Sequence, residues 1–311
     1  MSRESLAPPK DSDVLLIKKT SSFETFFENH IGLFLLLPII IYFLVFLVYP
    51  VGQLVYLSFT NTKGVPSLTN LFSLATDPYL SSVAFNTIYY SVGSFAAEFA
   101  LGFIVAFLLY FYRGRLSTFF RMSYSIPLML SPVVSALLWL LIYNQNYGPL
   151  NYILSILHLG QVNWLGNSTY SMPALFIVNM WEYSPYVFIL VFAALQTVPI
   201  QLHEAAAIDG MSRFQMFRYV LLPNIKGPVL IAALLNLIGV LKSFDLVYVL
   251  TYGGPGISTT VMSFYIYEEA FSFFQDHYAA LLSLLYLIVM AIVVSAILKY
   301  TPIEREIGLK S

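Results

Sequence analysis

The sequence predicts an all-α integral membrane protein with six transmembrane helices and a cytoplasmic helix-turn-helix loop. Three observations predict this fold class. The composition is too apolar for a water-soluble domain, six segments free of charge are long enough to cross a bilayer, and basic residues occur in alternate connecting loops.

The composition places most of the chain in lipid. Of its 311 residues, 59% are hydrophobic and only 10% are charged, and the mean hydropathy is +0.77. Soluble domains carry about 25% charged residues, so this chain has too little polar surface to cover a globule in water. Its net charge of −1 argues against a nucleic-acid partner. The absence of cysteine excludes disulfides and thiolate metal sites.

The spans are predicted from runs of about 20 mostly apolar residues, the length that crosses the hydrocarbon core. The six runs cover residues 31–51, 84–112, 126–143, 171–195, 227–250 and 278–298. They form one membrane domain over residues 31–301, with a loop at about 196–226. Residues 1–30 and 302–311 are predicted to be cytoplasmic tails.

The distribution of lysine and arginine predicts the orientation. Thirteen of the fifteen basic residues lie in the N-terminal tail, in the loops after the second and fourth spans, and beyond the end of the sixth span. The other three loops contain Lys63 alone, and Lys242 lies within a span. Because positive loops stay in the cytoplasm, both termini and the loop at 196–226 are predicted to be cytoplasmic in a cell membrane.

Catalytic motifs are missing from the sequence. It has no G-x-x-x-x-G-K-[ST] phosphate loop and no G-x-S-x-G nucleophile elbow. Its four histidines, His30, His158, His203 and His277, do not have the spacing of metal ligands. We therefore expect no catalytic residue, no metal and no cofactor in this chain.

The loop between the fourth and fifth spans has the most specific pattern. Alanine and glutamate favour a short helix over residues 204–208, and Gly210 can adopt the left-handed conformation that ends it. Ser212 can cap a second helix, and Pro223 is expected to end that helix. Phe214, Phe217 and Leu221 are expected on one face of it. The hairpin fits either a docking element for a partner or an amphipathic loop on the membrane surface.

These residues carry a family resemblance. Glu204-Ala205-Ala206, Gly210 and Leu222-Pro223 resemble the EAA loop of ABC importer permeases. Further segments resemble the carbohydrate permeases of the maltose/glycerol-phosphate type, in particular the first permease of a heterodimeric pair. They are Asn86-Thr87, Tyr147-Gly-Pro-Leu-Asn151, Trp164-Leu165, Trp181, Leu195-Gln-Thr-Val-Pro199, Ser243-Phe-Asp-Leu-Val-Tyr248, Leu250-Thr-Tyr-Gly-Gly-Pro255, Ser258-Thr259 and Ile266-Tyr267. The resemblance spans residues 31–301, although the extra helices and large external domain of the maltose permease are absent.

The resemblance implies how the protein works. A second permease would complete the pathway, two copies of an ATPase subunit would bind ATP and Mg²⁺, and an extracytoplasmic binding protein would deliver a sugar. The ATPase-coupling residues implied are Glu204, Ala205, Ala206, Asp209, Gly210, Leu222 and Pro223.

Polar groups inside the spans suggest where cargo passes. Ionisable side chains in a bilayer cost about 2.5–3.5 kcal/mol on insertion scales, so Glu98, Glu182, Lys242 and Asp245 each need a reason. The resemblance implies that the stretches on either side of the loop line the cavity. The predicted substrate-pathway residues are Asn179, Trp181, Glu182, Tyr183, Asn236, Lys242 and Asp245.

Structural alternatives exist for several of these residues. Lys242 and Asp245 can pair with each other on one helix face, Trp181 can pack on a neighbouring helix, and Asn236 can join two spans. Glu98 is assigned to bonding between helices.

Other functions fit the sequence less well. An ion-coupled secondary transporter predicts repeated halves, and a membrane enzyme predicts a catalytic cluster. Neither is visible. Glycerol 3-phosphate or a related polyol is the alternative cargo, but it requires several positive groups, and Lys242 is the single intramembrane cation.

Overall fold

The computed structural model describes residues 35–112 and 114–300. The two predicted tails therefore lie outside the described residues. The chain divides into two compact units, one ending at Gln53 and the other beginning at Leu54. The first described helix, α1, covers Leu35–Ser58 and contains a π-helical turn at Leu44–Val48.

The second unit is helical throughout its described length, apart from turns and short loops. After α1, its helices are α2 Thr69–Thr76, α3 Leu80–Phe111, α4 Arg115–Ser125, α5 Pro132–Ile142, α6 Pro149–Ile156, α7 Ser168–Gln196, α8 Ile200–Ile208, α9 Arg213–Met216, α10 Lys226–Leu241, α11 Asp245–Leu250, α12 Met262–Tyr267 and α13 Asp276–Tyr300. A π-helical turn at Phe217–Leu221 and a helical turn at Leu222–Asn224 lead from α9 towards α10.

Five of the six predicted spans are helices long and apolar enough to cross a membrane. They are α1, α3, α7, the stretch Lys226–Leu250 formed by α10 and α11, and α13. The sixth span, predicted as one helix at 126–143, is instead a pair of helical segments, Arg115–Met129 and Pro132–Ile142, bent by 101°. The bend has a local cause: Ser131 is extended (ψ 142°) because Pro132 disfavours a helical residue before it.

The fifth span also departs from a continuous helix. It breaks between Leu241 and Asp245, although the sequence contains no proline at that point. Backbone carbonyls exposed by a break at membrane depth need new donors. The hydroxyl of Tyr286 donates to Leu241 O at 2.6 Å, and Ser263 Oγ donates to Ser243 O at 2.6 Å. These two hydroxyls compensate for the lost helical bonds.

Helices α3 and α7 form the centre of the second unit and pack against each other most extensively. At Gly102 of α3 the two backbones approach closely, because an added Cβ would lie only 2.7 Å from Val187 Cβ. One apolar cluster around Tyr90 and Leu175 surrounds one half of this pair. A second cluster around Val187 and Leu221 surrounds the other half and includes the turn after α9.

The end of the bundle opposite α8 and α9 is held by polar contacts. Asn86 Nδ2 donates to Ile257 O at 2.8 Å, and Met262 N donates to Thr87 Oγ1 at 2.8 Å. These bonds fasten the loop between α11 and α12 to the start of α3. Asn86 and Thr87 are two of the residues on which the family resemblance rests.

Candidate functional site

A cavity of about 310 Å³ lies between α3, α7 and the broken helix α10–α11. Its polar lining is contributed by three membrane-crossing elements, while leucine, proline and valine side chains supply most of the remainder. The lining residues are Glu98, Leu128, Pro132, Asn179, Tyr183, Tyr186, Leu235, Asn236, Gly239, Val240, Lys242, Ser243, Asp245 and Leu246. A mostly apolar cleft with a few convergent polar groups is the usual form of a small-molecule site.

Three buried side chains meet at the cavity wall. Asn179 Nδ2 of α7 donates to Glu98 Oε1 at 2.5 Å, and Asn236 Nδ2 of α10 donates to Glu98 Oε2 at 2.5 Å. Glu98 is 0% exposed, Asn179 2% and Asn236 4%. One carboxyl group of α3 therefore joins α7 and α10, as predicted for Glu98, and the same three residues also line the cavity.

The carbonyl oxygen of each of these two amides is left without a hydrogen-bond partner. Within residues 35–112 and 114–299, neither Asn179 Oδ1 nor Asn236 Oδ1 has a hydrogen-bond partner. A buried carbonyl oxygen without a donor costs about 1–3 kcal/mol. Both oxygen atoms are buried, although the two residues contribute to the lining of the cavity.

The helix break places further polar groups beside these amides. Ser243 lines the cavity, and its Oγ lies 2.8 Å from the hydroxyl of Tyr90. Lys242 and Asp245 line the cavity from the same break, and both are exposed. Within the part of the chain that the structure describes, no carboxylate lies within 4.0 Å of the Lys242 amine, so the pairing of Lys242 with Asp245 does not form.

Two predicted pathway residues lie away from the cavity lining. Trp181 packs edge-to-face on Trp139 of α5, with ring centroids 5.8 Å apart. This is the structural alternative considered for Trp181. Glu182 is 1% exposed but does not contribute to the lining. The helical rotation of about 100° per residue explains Trp181, which lies about 200° around α7 from Asn179, but it does not explain Glu182, which lies only about 60° from Asn179.

At one end of the bundle, α8 presents the predicted coupling residues. Glu204, Ala205 and Asp209 are exposed, whereas Ala206 is buried. Gly210 ends α8 in the left-handed conformation (φ +69°), as the sequence predicts. Gly210 N donates to Ala207 O, and Met211 N donates to Ala206 O, which satisfies the last helical carbonyls.

The second helix of the loop begins as predicted. Ser212 Oγ accepts from Gln215 N at 3.3 Å, and Ser212 N donates to Gln215 Oε1 at 2.8 Å. This reciprocal pair is a capping box. It fixes where the chain turns from α8 into α9.

Two expectations for this helix are wrong. Phe214 is 65% exposed, while Phe217 and Leu221 are buried, because Phe217 packs on Phe103 and Phe107 of α3. Pro223 does not end the helix: the helical turn Leu222–Asn224 contains it near its start, a position where a missing N–H is tolerated.

The loop also carries exposed apolar side chains. Ile208 at the end of α8 is 86% exposed, and Phe214 and Tyr219 of the following segment are about two-thirds exposed. Glu204, Arg213 and Arg218 are also exposed, so this loop presents apolar side chains together with charges of both signs. Exposed apolar side chains of this kind are typical of a surface that binds another protein.

Comparison with known proteins agrees with this arrangement. The family described as "Binding-protein-dependent transport system inner membrane component" matches residues 98–301. The chain belongs to this family. The match begins at Glu98 and covers both the cavity and the α8–α9 loop.

Individual relatives of this permease are named as sugar transport components. It is 35% identical to the trehalose/maltose transport system permease protein MalF of Thermococcus litoralis, over 76% of this chain and 82% of that one. It is 30% identical to the lactose transport system permease protein LacF of Rhizobium radiobacter, over 92% of this chain and 98% of that one.

A solved structure shows the same fold. The permease superposes with a TM-score of 0.82 on a chain of a bacterial ABC transporter involved in the import of the acidic polysaccharide alginate. The match covers 90% of this chain and 98% of the other, at 22% identity. The all-helical membrane architecture predicted from sequence is therefore confirmed.

Some lining residues of the permease were not predicted from sequence. Tyr183 lies four residues after Asn179, and Tyr186 lies three residues after Tyr183, so all three share one face of α7. That periodicity could have identified Tyr186 and excluded Trp181. Ser243 carried no comparable signal, because its position depends on the helix break.

Proposed function

We propose that this permease forms half of the translocation pathway of an ABC importer for a neutral sugar. A second homologous permease completes the pathway, two copies of an ATPase subunit bind and hydrolyse ATP with Mg²⁺, and an extracytoplasmic binding protein delivers the cargo. A mostly apolar cavity lined by a few convergent polar side chains, in a chain whose relatives are named as sugar transport permeases, supports this proposal most directly.

The chemistry of the cavity matches a polyhydroxylated cargo. Sugar hydroxyls both donate and accept hydrogen bonds, and the lining includes the polar side chains of Lys242, Ser243 and Asp245. Tyr183 and Tyr186 provide ring surface for the apolar face of a pyranose. The relatives include trehalose/maltose and lactose transport systems, which supports the same cargo class.

A phosphorylated polyol such as glycerol 3-phosphate is the second candidate. The cavity lining contains one cation for such a cargo, Lys242, together with the acidic side chains of Glu98 and Asp245. A doubly charged phosphate needs several positive groups in a site of low dielectric. The lining therefore favours a neutral cargo.

Uptake by the reconstituted importer tests the function. The permease, its partner permease, the ATPase and the binding protein would be placed in proteoliposomes. ATP-dependent uptake of radiolabelled maltose, trehalose, lactose or raffinose is expected, with little uptake of glycerol 3-phosphate. Uptake of glycerol 3-phosphate alone would reverse the assignment of cargo, and ATP hydrolysis by the purified permease without any partner would contradict its non-catalytic role.

The orientation is tested separately. Both termini and Glu204 are proposed to be cytoplasmic, with Asn151 and Gly254 on the opposite side. Because the native chain has no cysteine, single cysteines at these positions can be labelled without background. Labelling of a cysteine at position 254 only from the cytoplasmic side would overturn this orientation.

A further inference from the structure

We propose that a second cavity, between the end of α3, α4 and the start of α9, binds an anionic phospholipid. The phosphate of this lipid binds Arg213, and an acyl chain lies along an apolar wall. The site is separate from the cargo cavity, so the inference does not depend on which cargo is imported.

The second cavity has a volume of about 500 Å³. The last turns of α3, two side chains of α4 and the first residues of α9 form its walls. Apart from Tyr112 and Arg213, the lining consists of phenylalanine and leucine side chains. Leu116 and Phe120 are four residues apart and therefore lie on the same face of α4. The cavity thus has a long apolar wall and a single charged group.

The second cavity lies where a membrane-crossing helix ends. The sequence has no charged residue between Glu98 and Arg113, so the last turns of α3 remain in the apolar part of the span and its end reaches the polar boundary. Leu108, Leu116 and Phe120 are each more than half exposed. At this depth an exposed apolar wall is solvated by lipid chains.

Arg213 is the cation that such a lipid would bind. Its side chain is exposed, and within residues 35–112 and 114–299 no carboxylate lies within 4.0 Å of its guanidinium group. Arg121 of α4, by contrast, is already engaged. Its Nη2 donates to Leu109 O at 3.0 Å, and its guanidinium group lies 4.2 Å from the centroid of the Phe192 ring.

The charge of the lining favours one class of lipid. A guanidinium group matches the geometry of a phosphate and can donate two hydrogen bonds to it. A zwitterionic lipid such as phosphatidylcholine also carries a phosphate, but its ammonium group would meet no aspartate or glutamate in the lining. A headgroup with a net negative charge is therefore preferred. The proposed orientation places this cavity on the cytoplasmic side, where basic pockets between membrane helices bind such headgroups.

A lipid fits the second cavity better than a polypeptide segment does. A buried backbone needs partners for its N–H and C=O groups, and the phenylalanine and leucine wall offers none. An acyl chain needs no such partners.

Photocrosslinking in the complete transporter tests the proposal. The transporter is reconstituted in phosphatidylcholine vesicles that contain a small fraction of a lipid with a diazirine in its acyl chain. The labelled lipid is phosphatidylglycerol in one sample and phosphatidylcholine in the other, and adducts are located by peptide mass spectrometry. The ratio of phosphatidylglycerol to phosphatidylcholine adducts at residues 116–120 is divided by the same ratio on α1, whose side chains are nearly all exposed.

In the wild type this normalised ratio is expected to be about 5, the effect of one basic residue beside an anionic headgroup. Arg213→Gln should lower it to about 1, and Arg213→Lys should keep most of the preference. Arg218→Gln is the matched control, because Arg218 is an exposed arginine of the same loop that does not line the cavity. It should leave the ratio unchanged.

Three results would overturn the proposal. A wild-type ratio near 1 would show that lipid contacts the wall without selection of its headgroup. An equal decrease in Arg213→Gln and Arg218→Gln would indicate diffuse attraction to the loop instead of a site. Absence of adducts from both lipids at residues 116–120 would show that a protein segment covers the cavity. None of these measurements requires transport, so failure of sugar uptake would refute the proposed function and not this inference.

Discussion

The phenolic oxygen of Tyr110, at the end of α3, lies 2.5 Å from Nε2 of His203 on α8. His203 Nδ1 lies 3.2 Å from Pro199 O, which can only accept, so Nδ1 carries a proton and donates to it. Tyr110 also packs edge-to-face on Phe192 of α7. The helix that carries Glu204 is thus connected to two membrane-crossing helices through one tyrosine.

We predict that Tyr110→Phe weakens coupling between the α8–α9 loop and the spans. The ring contacts remain, but one hydrogen bond, worth about 0.5–1.5 kcal/mol, is lost. Binding-protein-stimulated ATP hydrolysis by the complete transporter should fall about 2- to 10-fold. Tyr112→Phe is the control, because Tyr112 is exposed near the end of the same helix. Equal rates in the two variants would contradict the role of this contact.

Glu204→Ala is predicted to reduce occupancy of the ATPase subunit. Glu204 is exposed on α8, and removing one partner of a charge pair that becomes buried at an interface costs about 2–5 kcal/mol. Co-purification should recover the permease pair with little bound ATPase. Gln201→Ala, another exposed position on α8, should retain it. Full occupancy and normal stimulated hydrolysis in Glu204→Ala would exclude this coupling role.

Gly210→Leu is predicted to act through the backbone. Gly210 has φ +69°, where a residue with a Cβ loses about 1–2 kcal/mol, although open space surrounds the position. Stimulated hydrolysis should decrease while insertion in the membrane is unchanged. Gly210→Asn should be milder, because asparagine tolerates the left-handed region. Equal loss in both variants would point to a side-chain effect instead of backbone strain.

Gly102→Ala should destabilise the packing of α3 on α7. The new Cβ would lie 2.7 Å from Val187 Cβ and would also meet the backbone of Ser184, so the helices must separate. Overpacking of this kind costs about 1–3 kcal/mol. Thermal unfolding in detergent should occur at a lower temperature. Gly239→Ala is the stability control, because a Cβ there meets nothing within 4 Å, and similar melting of both variants would refute the close approach.

Asp77 is predicted to contribute stability that is lost in acid. Burial raises its pKa, but hydrogen bonds from the hydroxyls of Tyr278 and Tyr265 and from the backbone of Tyr79 and Leu80 outweigh burial and lower it below 3.8. A carboxyl group whose pKa is lowered by folding stabilises the fold fully above its ordinary pKa, and this contribution disappears as pH falls through the lowered value.

The comparison of wild type with Asp77→Asn measures that contribution. At pH 7 the variant should be less stable by about 1 kcal/mol, a reduced figure because Asp77 is only partly buried. The difference between the two melting temperatures should shrink as pH falls below 3.8. A difference that stays constant from pH 7 to pH 3 would contradict the role of the ionised carboxylate.

Local patterns in the sequence were enough to predict much of the loop. The conformation of Gly210 and the capping of α9 by Ser212 depend on residues within four positions of each other, and both are as predicted. The different environments of Phe214 and Phe217 were not predictable, because Phe217 is buried by Phe103 and Phe107, which lie more than 100 residues away in the sequence.

By itself, the sequence determined the membrane environment, the number of apolar segments and the residue types available at membrane depth, because hydropathy and charge are properties of the chain alone. Only the tertiary structure decided which polar groups meet. The break between Leu241 and Asp245 depends on hydroxyls from Tyr286 and Ser263, far away in sequence. The contact of Glu98 with Asn179 and Asn236 likewise spans 81 and 138 residues, a separation at which no local periodicity carries information.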